Sequence, residues 1–122
     1  MHGELSGRIL GSAIRVHREL GPGLLESLYE ECLAKDLGDA GLSVARQVDL
    51  PVVFRGETLA GGFRVDLLFQ DLVVVEVKSV EALLPLHESQ LMTYLRLSRR
   101  RLGLLINFNV PRLKDGVLRR VL

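Results

Sequence analysis

Tryptophan is absent from this chain, cysteine occurs once, and aromatic residues make up only 5% of its 122 positions. The single cysteine, Cys32, excludes an internal disulfide and fits a reducing cytoplasm. It falls in a helical pattern beside Leu28 and Leu33, the setting of a buried structural thiol rather than a nucleophile. With so few aromatics and 48% of residues apolar, the core has to be built from Leu and Val. No apolar run approaches the roughly 20 residues that a membrane span requires. The opening Met1-His2-Gly3-Glu4 is neither basic nor followed by an apolar stretch, so no export signal is expected.

What remains is the composition of one globular domain, 122 residues of mixed character with 25% charged side chains. The formal net charge of +1 hides an asymmetry. From Arg96 onward there are eight bases (Arg96, Arg99, Arg100, Arg101, Arg112, Lys114, Arg119, Arg120) and one acid, Asp115, a balance of +7. Taking these from the totals of 16 and 15 leaves eight bases and fourteen acids, or −6, before that point. A basic end on a near-neutral chain matches the footprint of a phosphate backbone; a solvated surface produces the same pattern.

Helical spacing of Leu5, Ile9, Leu10, Ala13, Val16 and Leu20 predicts a helix over Glu4 to Leu20, stopped by Gly21-Pro22-Gly23. A second helix is expected from Leu24 to about Ala40, with Gly41 as its stop. The period then shortens. Ser43 to Phe54 and Thr58 to Phe69 read as strands joined at Arg55-Gly56-Glu57, the second interrupted by a bulge or bend at Gly61-Gly62. After a turn at Gln70-Asp71, the nearly continuous apolar run Leu72 to Lys78 has the character of a central strand covered on both faces. A third helix is expected between Leu86 and about Arg99, a fourth strand from Leu102 to Phe108, and a weaker fifth from Gly116 to Leu122. The order α-α-β-β-β-α-β-β predicts an α/β or α+β domain: a meander of three strands, a helical crossover, and one mixed sheet flanked by helices.

The central strand contains an anomaly. Glu76 and Lys78 stand two residues apart, hence on one face, with Val75 and Val77 on the other. Burying a carboxylate and an ammonium costs several kcal/mol each unless they pair or bind an ion. A turn centred near Gln70-Asp71 brings Asp66 opposite or diagonal to Glu76, where the two carboxylates can share a hard cation such as Mg²⁺. A buried Glu–Lys pair with an unrelated edge Asp is the simpler alternative. Glu26, near the start of the second helix, is a further candidate, although the helix dipole alone favours an acid there. On the third helix His87, Gln90 and Tyr94 fall at i, i+3 and i+7 and form a polar strip suited to a phosphate or a water; a surface strip looks the same. Tyr29 and Tyr94 also read as core aromatics with a hydrogen-bonded hydroxyl.

Taken together, Leu20-Gly21-Pro22-Gly23, Gly23-Leu24-Leu25-Glu26-Ser27-Leu28-Tyr29, Val65-Asp66-Leu67, Val75-Glu76-Val77-Lys78, His87 to Tyr94 and Ile106-Asn107-Phe108-Asn109 resemble the bacterial and archaeal GxxExxY proteins, a branch of the PD-(D/E)XK nuclease superfamily. The likeness covers nearly the whole chain. It implies a restriction-endonuclease-like α-β-β-β-α-β core and phosphodiester cleavage dependent on Mg²⁺ or Mn²⁺. Carried over residue by residue, it implies that Asp66, Glu76 and the Val77 carbonyl ligate the metal. Lys78 would position or deprotonate the attacking water and stabilise charge, Glu26 would orient that water or complete the outer contacts of the metal, and Gln90 would stabilise the site from the third helix. Tyr29, His87 and Tyr94 are the expected substrate contacts.

Three functions follow. The first is a nuclease acting on DNA or RNA, its backbone held by the basic C-terminal part. The second is a non-hydrolytic nucleic-acid-binding or accessory module, and the third a phosphodiesterase for a small nucleotide. The residues show no appended DNA-reading domain, so selective cleavage would call for a homodimer, a partner protein or loose specificity.

Overall fold

The computed structural model describes all residues, 1–122. Helix α1, Gly3–Leu20, buries Ile9, Ala13 and Val16 along one stripe and ends at Gly21, whose φ of 74° suits a residue without Cβ. Helix α2, Glu26–Asp39, buries Tyr29, Leu33 and Leu37. The two helices lie against each other and are tied by Asp36, which accepts hydrogen bonds from Ser12 and from Arg15. Helix α2 starts at Glu26 rather than Leu24 because Leu25 keeps an extended backbone, ψ 146°, as the cap.

Five strands follow: β1 Val44–Phe54, β2 Glu57–Phe69, β3 Val73–Lys78, β4 Leu102–Asn107 and β5 Val117–Val121, with helix α3, Pro85–Ser98, between β3 and β4. They form one sheet in the order β1-β2-β3-β4-β5. The β1–β2, β2–β3 and β4–β5 pairs are antiparallel, and the pair joined through α3 is parallel. This is the expected mixed sheet with β3 at its centre. The expected irregularity near Gly61-Gly62 is a bulge: Leu50 faces Phe63 but Val52 faces Leu59, so Ala60, Gly61 and Gly62 oppose Pro51 alone. Pro51 has no N–H to place in a ladder, which makes this a cheap position for the break. The helix-and-strand reading lacked one element, a single 3₁₀ turn at Leu113–Gly116, too short to carry a periodic signal.

The sheet separates two apolar layers. Helices α1 and α2 cover one face, where Val73, Val75 and Val77 join Leu67, Phe69, Leu104, Ile106 and Phe108 in the larger core. Helix α3 covers the other, where Leu91 and Leu95 pack on Val65, Leu68, Val74 and Leu105. Strand alternation therefore places Glu76 and Lys78 with Val74 on the α3 side. Cys32 is only half-buried, at the edge of the larger core, so it is less enclosed than its sequence setting suggests. No helix is long and apolar enough to cross a membrane.

Candidate active site

Gln70 and Asp71 both take left-handed backbone angles, φ 54° and 56°, and the Leu72 N–H closes the turn onto the Phe69 carbonyl at 2.9 Å. This tight reversal fixes the register Phe69–Val73, Leu68–Val74 and Leu67–Val75. Continued one step, that register sets Asp66 opposite Glu76, but the ladder stops there. Asp66 Oδ2 takes the Val77 N–H at 2.8 Å in place of a backbone carbonyl. A side chain thus caps the open end of the β2–β3 ladder and is held beside Glu76.

Glu76 is 6% exposed, and its Oε1 is buried without a hydrogen-bond partner. No ion pair joins it to Lys78, so the simple Glu–Lys pair is not what the strand contains. Its carboxyl pKa is pushed up to about 9, first by burial and then by the neighbouring Asp66 charge; the Lys78 ammonium pulls the other way. Metal-free Glu76 is therefore a neutral acid at pH 7, next to the Asp66 carboxyl. Two carboxyls side by side, one with an unpartnered oxygen, form a hard-oxygen pair that a divalent cation fits. No third Asp, Glu, His or Cys completes a cluster around them. Further ligands would have to be backbone carbonyls, water or substrate oxygens.

The remaining sequence candidates are distributed around this pair. Glu26 is exposed at the first turn of α2, and its Oε1 accepts the Ser79 N–H at 3.2 Å, which holds the helix start to the end of β3 next to Lys78. Ser79 Oγ reinforces this contact by donating to Leu24 O at 2.6 Å. Tyr94 stacks on Phe63 with ring centroids 4.8 Å apart. Its hydroxyl pKa is raised by burial and by the Glu76 and Asp66 charges, so it lies within the field of the acidic pair. Gln90 is exposed and shares with Tyr94, Thr93 and Phe63 the wall of a cleft of about 300 Å³.

His87 and Tyr29 each brace the start of a helix. His87 Nδ1 accepts the Leu84 N–H at 3.0 Å, capping the start of α3 where Pro85 opens the helix. Tyr29 has no exposed surface and stacks on Phe108 at 4.4 Å. Its hydroxyl donates to Gly21 O and accepts from Leu24 N–H, so the expected substrate contact gives way to a brace that shapes the loop before Glu26.

Two residues absent from the sequence reading join the site. Glu30 is buried, and both its oxygens accept from Gln47 Nε2, at 3.0 and 2.9 Å. The same Gln47 amide donates to Asp66 Oδ1 at 3.3 Å. Gln47 has φ 50° inside a strand, and the β1–β2 ladder skips it and Asp66 while keeping register on either side. Backbone strain of this kind is tolerated where the surroundings demand it. Glu30 was readable, since it falls three and seven residues before Leu33 and Leu37, on the buried stripe of α2. Nothing in the sequence around Gln47 indicates a left-handed residue. Asn107, opposite Lys78 in the parallel register, is also buried. It bonds the Val80 N–H and carbonyl at 3.0 and 2.9 Å and fixes the chain leaving the site.

The family model for the PD-(D/E)XK nuclease superfamily matches residues 3–121, so this chain belongs to that superfamily. No curated protein and no solved structure shows significant similarity to it.

Proposed function

We propose that the chain is a cytoplasmic, metal-dependent phosphodiesterase acting on DNA or RNA, of the GxxExxY branch, with Mg²⁺ or Mn²⁺ held between Asp66 and Glu76. The observation that carries this is the buried, unpartnered Glu76 Oε1 beside Asp66. A buried polar atom left unmatched costs about 1–3 kcal/mol, and a ligand is a direct way to recover it. Val77 supports the reading: its N–H is turned to Asp66, and in a strand the carbonyl of a residue points to the same side as its N–H, making it the candidate third ligand. A divalent cation there would lower the pKa of a water and offset charge on the scissile phosphate.

The protein groups then have separate tasks. Asp66 and Glu76 would supply the oxygens that hold a cation, which requires Glu76 in its deprotonated form. Lys78, free of any ion pair, supplies positive charge to the phosphate or orients the water. Glu26, held at Ser79, is the candidate for positioning that water from the opposite side. Gln90 and Tyr94 form the α3 wall along which a substrate would lie, and the free Nε2 edge of His87 adds to it.

A test is cleavage of plasmid, single-stranded DNA and RNA with Mn²⁺, run beside Lys78→Ala. Wild-type cleavage that falls at least a hundredfold in the variant supports the reading; equal cleavage by both would show that the activity is not this protein's. Mg²⁺ or Mn²⁺ should also raise the melting temperature, and Asp66→Ala should abolish the rise. One observation favours a non-hydrolytic binding module: the protonated Glu76 beside Asp66 lets the fold stand without metal. Nucleic-acid binding by wild type and Lys78→Ala, with no cleavage by either, would select it.

A further inference from the structure

The basic C-terminal part does not fold into one patch. Arg100 pairs with Asp71 and Arg120 with Glu88, while Arg119 and Arg101 donate to the backbone carbonyls of Met1 and Leu122. Arg112 and Lys114 remain exposed, without ion pairs, and across from them on α1 stands Arg18, equally exposed and unpaired. These three cations line a cleft of about 560 Å³ whose other walls are Ile14, His17, Gly21, Pro22, Pro111 and Leu113. No acidic side chain lines it. His17 donates from Nε2 to Val110 O at 2.7 Å and joins α1 to the far wall, so the cleft is a built feature.

Neighbouring chain segments border a second cleft, nearer the acidic pair. That cleft, of about 500 Å³, is walled by Gly23, Leu24, Leu25, Ser79 and Asn109. The same two chain segments therefore border both: residues 21–25 on one side and 109–114 on the other. Ser79 directly follows Lys78. The chain thus links the two clefts directly: Gly23 to Leu25 and Asn109 wall the one beside Ser79, and Gly21, Pro22 and Pro111 to Lys114 wall the one that holds Arg18.

We propose that the Arg18–Arg112–Lys114 cleft is a phosphate-backbone subsite that holds the nucleic-acid strand beyond the Asp66–Glu76 pair. This rests on the nucleic-acid reading above for its ligand class but not on hydrolysis. Three cations without ion pairs around an open cleft attract a polyanion by charge and counterion release, without reading bases. The subsite gives reach: a strand engages both the acidic pair and the cleft, while a single phosphodiester engages only the first.

The test uses fluorescence anisotropy of a labelled single strand and of the matching duplex, in EDTA, across a salt series. Arg112→Ala/Lys114→Ala should weaken binding at least tenfold. It should also reduce the slope of log K against log salt by roughly 1.4 for the single strand or 1.8 for the duplex, two contacts' worth. The arm that shows the loss identifies the form bound. Arg18→Ala should act in the same direction. A charge-matched double variant away from the cleft, Lys35→Ala/Arg55→Ala, should leave the slope within about half a contact. Unchanged affinity in the cleft variant, equal losses in the control, or no wild-type binding would overturn the proposal. Hydrolysis of bis(p-nitrophenyl) phosphate with Mn²⁺ should be the same in the cleft variant and wild type, and a parallel loss would also overturn it. If wild type fails to hydrolyse this ester while oligonucleotide binding still depends on Arg112 and Lys114, the subsite stands and the hydrolytic function falls.

Discussion

Glu76 makes the fold sensitive to pH in a direction opposite to that of most carboxylates. The folded chain holds its proton up to about pH 9, whereas the unfolded chain releases it near the ordinary 4.5. The folded state therefore binds more protons between those values, and stability from this residue falls as pH rises from about 4.5 toward 9. Glu76→Gln keeps the shape and can still donate to Asp66, but it has no proton to lose. Metal-free Glu76→Gln should melt about 5 °C or more above wild type at pH 8.5, and the gap should close by pH 5. The same variant should show a reduced or absent rise in melting temperature with Mg²⁺. Scanning fluorimetry in EDTA over that pH range checks the first outcome, and a gap independent of pH would locate the effect elsewhere. At this scale the sequence spoke through exceptions to pattern: two charges in the apolar run of β3 were conspicuous, and Asp66 followed from turn geometry. Glu30 was visible only as an acid on an otherwise apolar stripe. Gln47 was hidden, because its role comes from a left-handed backbone inside a strand, which tertiary context imposes.

At the scale of elements, β3, α3 and β4 work as one unit, and Gly103 sets how closely the helix approaches the sheet. A Cβ on Gly103 would stand 2.7 Å from Leu91 Cδ1 and 3.2 Å from Leu95 Cδ2. Both leucines are fully buried in the smaller core, so neither can move aside freely. Gly103→Ala should destabilise the protein by about 1–3 kcal/mol through overpacking. On the proposed hydrolysis, turnover should also fall, because any lift of α3 carries Tyr94 and Gln90 away from the acidic pair. Urea melts beside a kinetic assay at a temperature where the variant is fully folded separate the two effects; full turnover in the folded variant would show that α3 placement does not matter to the site. Periodicity found all three helices and all five strands to within a residue or two at most ends, since each buries a continuous stripe. The bounds slipped where a cap decides them, as at Leu25, whose extended backbone moves the start of α2 onto Glu26. His87 shows the same limit: its spacing marked it as part of a polar strip, and its geometry makes it the cap of α3.

Seen whole, the molecule is thick at one end and thin at the other. Strand β3 pairs with β2 only over Leu67 to Phe69, while the β1–β2 hairpin continues out to the Phe54–Glu57 pair. Its outer half is exposed on nearly every residue, including Val53 and Phe54, 63% and 56% exposed. At the other end β3 and β4 are buried along almost their entire length between α1 and α2 on one side and α3 on the other. Local opening free energies follow burial of this kind, from near zero in exposed ladders to the global value in the core. Hydrogen–deuterium exchange should therefore be slowest in Val73–Val77 and Leu102–Ile106 and fast in Pro51–Gly62. Asp66 and Gln47 sit at the boundary, where the ladder has already been interrupted. Loading with Mg²⁺ should slow exchange at Val77 and in residues 64–68 through the shared Asp66 and leave Pro51–Gly62 unchanged. Uniform protection of both halves of the hairpin in the metal-free protein would contradict this division. A slowing confined to the hairpin tip would place the cation away from Asp66 and Glu76.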